Sequence, residues 1–225
     1  VDRNPSAARY LPRRENHEYI DGTWVKGLLV EPDGATNLLT YSEDLSNAAW
    51  TKETNVSIGT PLSIAGLSLD LITNDGTATF RNVSQNAGST IADGGYITVS
   101  AFIKAGGSTE TALRTDDGTS NNRFTAIISW SASVPSISST VAIGLTEVGS
   151  GVEDHGGGLY RVWVAAENET GGALTLSGEY YVTWDTAPAS GGDDTTYAGA
   201  IQFEAGLVPT SYIPTSGSAV SRGAE

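Results

Sequence analysis

The sequence has no cysteine, no methionine and only two histidines, His17 and His155. The first absence excludes disulfide scaffolds, thiolate metal sites and cysteine nucleophiles, and it leaves the redox compartment unmarked. Basic residues are scarce too: 12 Lys plus Arg stand against 26 Asp plus Glu, a formal charge of -14 over 225 residues. Such a chain is a poor partner for nucleic acid, whose phosphates are bound by Lys and Arg that displace counterions. Nor is it drawn to an anionic membrane surface. No apolar run approaches the ~20 residues that cross a bilayer as a helix. The missing methionine, with Val1 at the start, leads to the expectation that these residues are one piece of a longer protein.

What is present is small and polar: 24 Ser, 26 Thr and 27 Gly. With Val, Ile and aromatics alongside, that composition favours strands and turns over helices. The length suits one all-β domain or two small ones. Residues 1–26 differ from the rest. They hold five of the twelve basic residues, Arg9, Arg13 and Arg14 among them. We read them as an extended arm that docks on neighbouring subunits or, equally, as a polar linker, residues 27–222 as the domain, and 223–225 as the start of a further segment or tail.

Gly27 to Glu31 reads as a short strand ended by the turn residues Pro32, Asp33 and Gly34. Ser42 to Trp50 reads as one or two helical turns, with Ser42 as cap and Leu45 and Ala49 on one face. Strands then recur. Leu67, Leu69 and Leu71 alternate with polar positions up to a turn at Asn74, Asp75 and Gly76, and Thr77 to Val83 returns. Tyr96 to Lys104 alternates, with Ile97, Val99, Ala101 and Ile103 on one face. Phe124 to Trp130 is a strand, and Val141 to Leu145 a short one. Leu159 to Ala166 puts Tyr160, Val162 and Val164 opposite Arg161 and Trp163. Leu174 to Trp184 puts Tyr180, Val182 and Trp184 on one face, and Tyr197 to Glu204 is the last long strand. About eight to ten strands without a helix of normal length predict an antiparallel β-sandwich or jelly roll.

Chemistry is sparse. His17 lies in the arm and His155 in a glycine-rich loop, so neither a Ser-His-acid arrangement nor a zinc site is indicated. Glu31 and Glu204 both close apolar strands and are the carboxylates that a glycoside-cleaving pair would use. The loops at Asp116 and Asp117 and at Asp193 and Asp194 are rich in oxygen ligands, which admits a structural calcium, although Asp–Gly turns need no metal. Trp130, Trp163, Tyr181 and Trp184 lie on strands. Each can be core, but an exposed row of two or more would form a platform for the apolar face of a sugar.

Two stretches carry a family likeness. Gly27-Leu28-Leu29-Val30-Glu31-Pro32 followed by Thr36-Asn37-Leu38-Leu39-Thr40-Tyr41-Ser42-Glu43-Asp44-Leu45-Ser46-Asn47-Ala48-Ala49-Trp50 is one. Gly199 to Gly206 followed by Pro209-Thr210-Ser211-Tyr212-Ile213-Pro214-Thr215 through Arg222 is the other. Together they resemble virion proteins of tailed bacteriophages, of the tail, tail-fibre or head-fibre type, with a jelly-roll domain like a carbohydrate-binding module. The resemblance implies a non-enzymatic structural module on the virion, with other virion proteins as partners and a symmetric homo-oligomer, a trimer, as assembly. The alternatives are an adhesin that binds host-surface glycans and, further off, a polysaccharide-degrading enzyme. From the residues themselves, Gly27 to Val30 and Ala200 to Phe203 are expected to pair as first and last strands, and Tyr212 and Ile213 to point to opposite sides, one as an anchor and the other toward a neighbour.

Overall fold

The computed structural model describes residues 34–76, 78–119, 121–184 and 193–223, and the backbone of 17–20 and 23–26. Along the chain the strands are β1 (His17–Ile20), β2 (Thr23–Lys26), β3 (Ala35–Asn37), β4 (Thr51–Lys52), β5 (Val56–Ile58) and β6 (Leu62–Ile64). Then come β7 (Leu67–Asn74), β8 (Arg81–Ile91), β9 (Tyr96–Ala105), β10 (Glu110–Asp116), β11 (Arg123–Ser131) and β12 (Val134–Ile143). The last are β13 (Leu145–Asp154), β14 (Tyr160–Asn168), β15 (Leu174–Thr183), β16 (Asp194–Ala205) and β17 (Val220–Arg222).

Two antiparallel sheets make the sandwich. One runs β12-β11-β10-β15-β8-β4, the other β13-β14-β9-β16-β7-β5, with β6 added on β7. The pairings are nested: β7 with β16, β8 with β15, β9 with β14. A long hairpin rolled up on itself gives this order, as the jelly-roll expectation requires. Between the sheets lie Val83, Val99, Leu113, Phe124, Val162, Tyr180 and Phe203, one face of each strand's alternation.

Some readings change. Residues 42–50 hold no helix. Three single turns follow one another instead, with Asp44, Asn47 and Trp50 N–H groups donating to the carbonyls of Tyr41, Asp44 and Asn47. Leu45 and Trp50 are buried while Ala49 is exposed, so the burial does not follow the helical period. Ser42 caps nothing local; its hydroxyl meets Tyr212 Oη at 2.6 Å and accepts from Thr215 N at 2.9 Å. The serine-rich stretch 134–154, of which only a short strand was expected, forms the long edge strands β12 and β13. Edge strands have one solvated flank and tolerate polar residues that blur the apolar alternation. In the arm, β1 and β2 pair as an antiparallel hairpin, so 17–20 folds back along 23–26 rather than running on extended. Arg9, Arg13, Arg14 and the expected strand from Gly27 lie outside the described residues.

The two end motifs meet at Asn37, which is fully buried. Its Nδ2 donates to the carbonyls of Ile201 and Ile213, and its Oδ1 accepts from Leu39 N and Phe203 N. All four capacities of the amide are filled, so this one side chain ties the start of the domain to its end. Beyond it, Tyr212 and Ile213 are both buried, at 4% and 0% exposure, and neither is left to face a neighbour.

Candidate functional site

The outer faces of the two sheets differ. On the seven-stranded sheet, Leu67, Leu69, Phe102, Leu159, Ala200 and Tyr212 form a second apolar cluster beneath the segment 206–216. Glu204 fastens that segment. It is fully buried and accepts from Gln202 Nε2 at 2.7 Å, Thr210 N at 2.9 Å and Thr210 Oγ1 at 2.6 Å. A carboxylate held this way reaches no substrate, and Glu31, its expected partner in glycoside cleavage, lies outside the described residues.

On the six-stranded sheet, alternation sends Asn82, Ser84, Arg114, Asp116, Thr125, Glu179 and Tyr181 outward. The registers set Tyr181 opposite Asn82 and Ala112, and Arg114 between Glu179 and Thr125. Arg114 forms ion pairs with Asp116 and, at 3.4 Å, with Glu179. Its Nη1 donates to Tyr181 Oη at 3.0 Å, and that hydroxyl donates to Glu179 Oε2 at 2.8 Å. Burial raises the Glu179 pKa, against the pull of Arg114 and the Tyr181 bond. Burial first, and then the Glu179 charge, push the Tyr181 phenol far up, so it stays protonated.

Beside this network stands an aromatic group. Trp184 meets Tyr181 edge-on with centroids 5.0 Å apart, and meets Phe80 edge-on, also at 5.0 Å. Strict alternation puts Trp184 on the side of Tyr180 and Val182. A bulge between Tyr181 and Thr183, where β15 pairs with β8, breaks that alternation and turns Trp184 to the outer side. Phe80 is 46% exposed and held at φ 55°, a conformation rare for a bulky residue. Strained backbone of this kind collects at ligand sites. Its N–H is fixed by the Trp184 carbonyl at 2.8 Å.

The four expected aromatics therefore separate. Tyr181 and Trp184 come together. Trp130 packs against the core with its Nε1 donating to Thr111 Oγ1 at 3.0 Å, and Trp163 lies on the opposite sheet. Phe80, Arg114, Glu179 and Asn82 were missed. Phe80 stood in what read as plain strand, and a buried Arg–Glu pair has no signal in a single sequence. The aspartates do not converge. Asp116 is engaged by Arg114, Asp117 closes its own loop through Thr119 and Asn122, Asp194 accepts from Thr183 Oγ1 at 2.7 Å, and Asp193 is exposed. No group of three or more His, Cys, Asp or Glu able to hold a metal occurs among the described residues.

No protein-family model matches the chain, and none of the curated proteins compared matches it. Among solved structures, the chain is similar to the CBM22-1 xylan-binding domain of Paenibacillus barcinonensis Xyn10C. Identity is 12%, the TM-score 0.41, with 79% of this chain and 97% of that one covered. It is also similar to the CBM22-1–GH10 modules of Clostridium thermocellum xylanase 10B, solved with xylohexaose. Here identity is 10%, the TM-score 0.39, with 78% of this chain and 28% of that one covered. At these values neither likeness bears on the ligand. What the face can do follows from its own side chains.

Proposed function

We propose that the chain is a glycan-binding module, and that the outer face of the six-stranded sheet is its binding face. The observation that carries this is the aromatic group Phe80, Trp184 and Tyr181 standing beside the Arg114–Glu179–Asp116 network. An aromatic ring takes the C–H face of a sugar; Phe80 and Trp184 are the members at least partly exposed here, and the buried Arg114, Asp116, Glu179 and Tyr181 hold the face in order beside them. Trp184 is partly exposed, and its Nε1 meets no acceptor among the described residues. The two carboxylates flanking one guanidinium make the face a poor host for an anionic polymer, so the expected ligands are neutral.

The test is calorimetric titration with cellohexaose, xylohexaose and mannohexaose. At least one should bind, and Trp184→Ala should remove the binding contributed by the six-stranded face while the circular dichroism spectrum is kept. Absence of binding by all three at millimolar concentration would overturn the reading. The same incubations test binding against catalysis: new reducing ends would mark an enzyme. The virion context rests on the sequence resemblance at the two ends, which supports a place on a tailed-phage particle in several symmetric copies. Antibody labelling of purified particles tests it.

A further inference from the structure

We infer that Trp163 forms a second, separate glycan platform on the opposite sheet, which makes the module bivalent for neutral glycans. This rests on the glycan reading for its ligand class but on different residues. Trp163 is partly exposed on the outer side of β14 and belongs to neither apolar cluster. It stands directly opposite Gly151 of the edge strand β13. A Cβ at Gly151 would lie 2.7 Å from Trp163 Nε1 and 2.8 Å from Cε2, and one at Gly149 would lie 3.4 Å from Cη2. The indole is thus laid across two glycines, with the strand under one face and its other face turned outward. Neither Gly149 nor Gly151 has positive φ, so the backbone does not require glycine there. The ring does.

The indole nitrogens separate the tryptophans in the same way. Trp50 and Trp130 donate to Tyr41 O and Thr111 Oγ1, each at 3.0 Å. The Nε1 of Trp163, like that of Trp184, meets no acceptor among the described residues. A flat ring beside a free donor suits a pyranose face with a hydroxyl at its edge. Glu153 and Glu167 share this outer face with Trp163 by alternation, while Arg161 is held by Ser100 Oγ at 2.9 Å and packed over Phe102 at 5.4 Å. The charges around the ring thus offset one another in part, with Glu153 paired to His155 at 3.6 Å, and the surroundings offer no cluster of cations for a uronate or a sulfated sugar. Facing away from the six-stranded sheet, this platform engages a different polysaccharide chain from the first.

The experiment is stoichiometry by calorimetry, using the same three hexasaccharides. The wild type should bind two molecules of the accepted sugar, and Trp163→Ala and Trp184→Ala one each. Gly151→Val, which lifts the ring while leaving the tryptophan in place, should behave as Trp163→Ala, and Trp163→Tyr should keep part of the second site. A wild-type value of one that Trp184→Ala abolishes and Trp163→Ala leaves intact overturns the second platform while the first stands. A value of one lost only in Trp163→Ala rejects the six-stranded face instead, and no binding at all rejects both. Cross-strand aromatic–glycine packing also shields edge strands. If Trp163→Ala lowers the melting temperature with stoichiometry unchanged, that shielding is its whole role and the inference fails.

Discussion

The two outer faces of the sandwich handle buried charge in opposite ways. On the seven-stranded sheet a carboxylate, Glu204, is buried to hold a chain segment, and its partners are uncharged donors from Gln202 and Thr210. On the six-stranded sheet, carboxylates are buried around a guanidinium, and the bonds link Arg114, Asp116, Glu179 and Tyr181. The first arrangement closes a surface. The second holds a network of charges in order on its own sheet, and fixed, pre-oriented polar groups are what a binding face needs. The comparison breaks most visibly at Arg114. Arg114→Ala leaves two buried carboxylates without their counter-charge, which costs about 3–5 kcal/mol. Chemical denaturation should show that loss, and sugar binding on the six-stranded face should vanish with it.

The next two substitutions separate the faces. Glu204→Ala strands the Thr210 and Gln202 donors in the interior, at about 1–3 kcal/mol for each donor left unpaired. The segment 206–216 should become protease-sensitive, while sugar affinity on the six-stranded face stays within about twofold, roughly 0.4 kcal/mol. Trp184→Ala should do the reverse. Loss of an aromatic anchor costs about 2 kcal/mol of binding, roughly 30-fold in Kd, with little change in the denaturation midpoint. If Glu204→Ala weakened binding as much as Trp184→Ala, the faces would be coupled and the comparison would fall.

The sandwich was legible because alternation is a property of single strands. Ile97, Val99, Ala101 and Ile103 point inward as their spacing demands, and so do Val162 and Val164. The site was legible only in part, because it depends on a break in that alternation. Tyr181 and Trp184 were candidates, yet a bulge decides that they share a face, and a bulge arises from pairing between strands distant in sequence. Arg114 and Glu179 are 65 residues apart and meet through the pairing of β10 with β15, which a single sequence does not announce. At residues 42–50 the helix reading failed because the Asp44 and Asn47 side chains bond to Ser46 Oγ and Ala49 N and favour turns, and because Leu45 N is held by Asp70 Oδ2 at 2.6 Å.

The smallest expected effect is with pH, and it sets folding against binding. Burial is the first cause that raises Asp70, Asp194 and Glu179 above their ordinary values of 3.8, 3.8 and 4.5. A carboxyl whose folded pKa exceeds its unfolded one stabilises the fold below the unfolded value and loses that contribution as pH rises through the folded one. Asp117 and Glu153 are lowered: hydrogen bonds from Thr119 and Asn122, and His155 with Arg161, outweigh their burial. Their contribution is present above the ordinary range and fades only at pH below it. The melting temperature should therefore rise as pH falls from neutrality through the raised folded values of Asp70, Asp194 and Glu179, helped by relief of the -14 net charge. Sugar affinity should fall over the same interval, because a protonated Glu179 no longer holds Arg114 and Tyr181 in place. Melting curves and titrations across the series should slope in opposite directions. Glu179→Gln should flatten the affinity profile while the rise in melting temperature, carried by Asp70 and Asp194, remains. Parallel slopes would mean that Glu179 is part of the scaffold and not of the binding face.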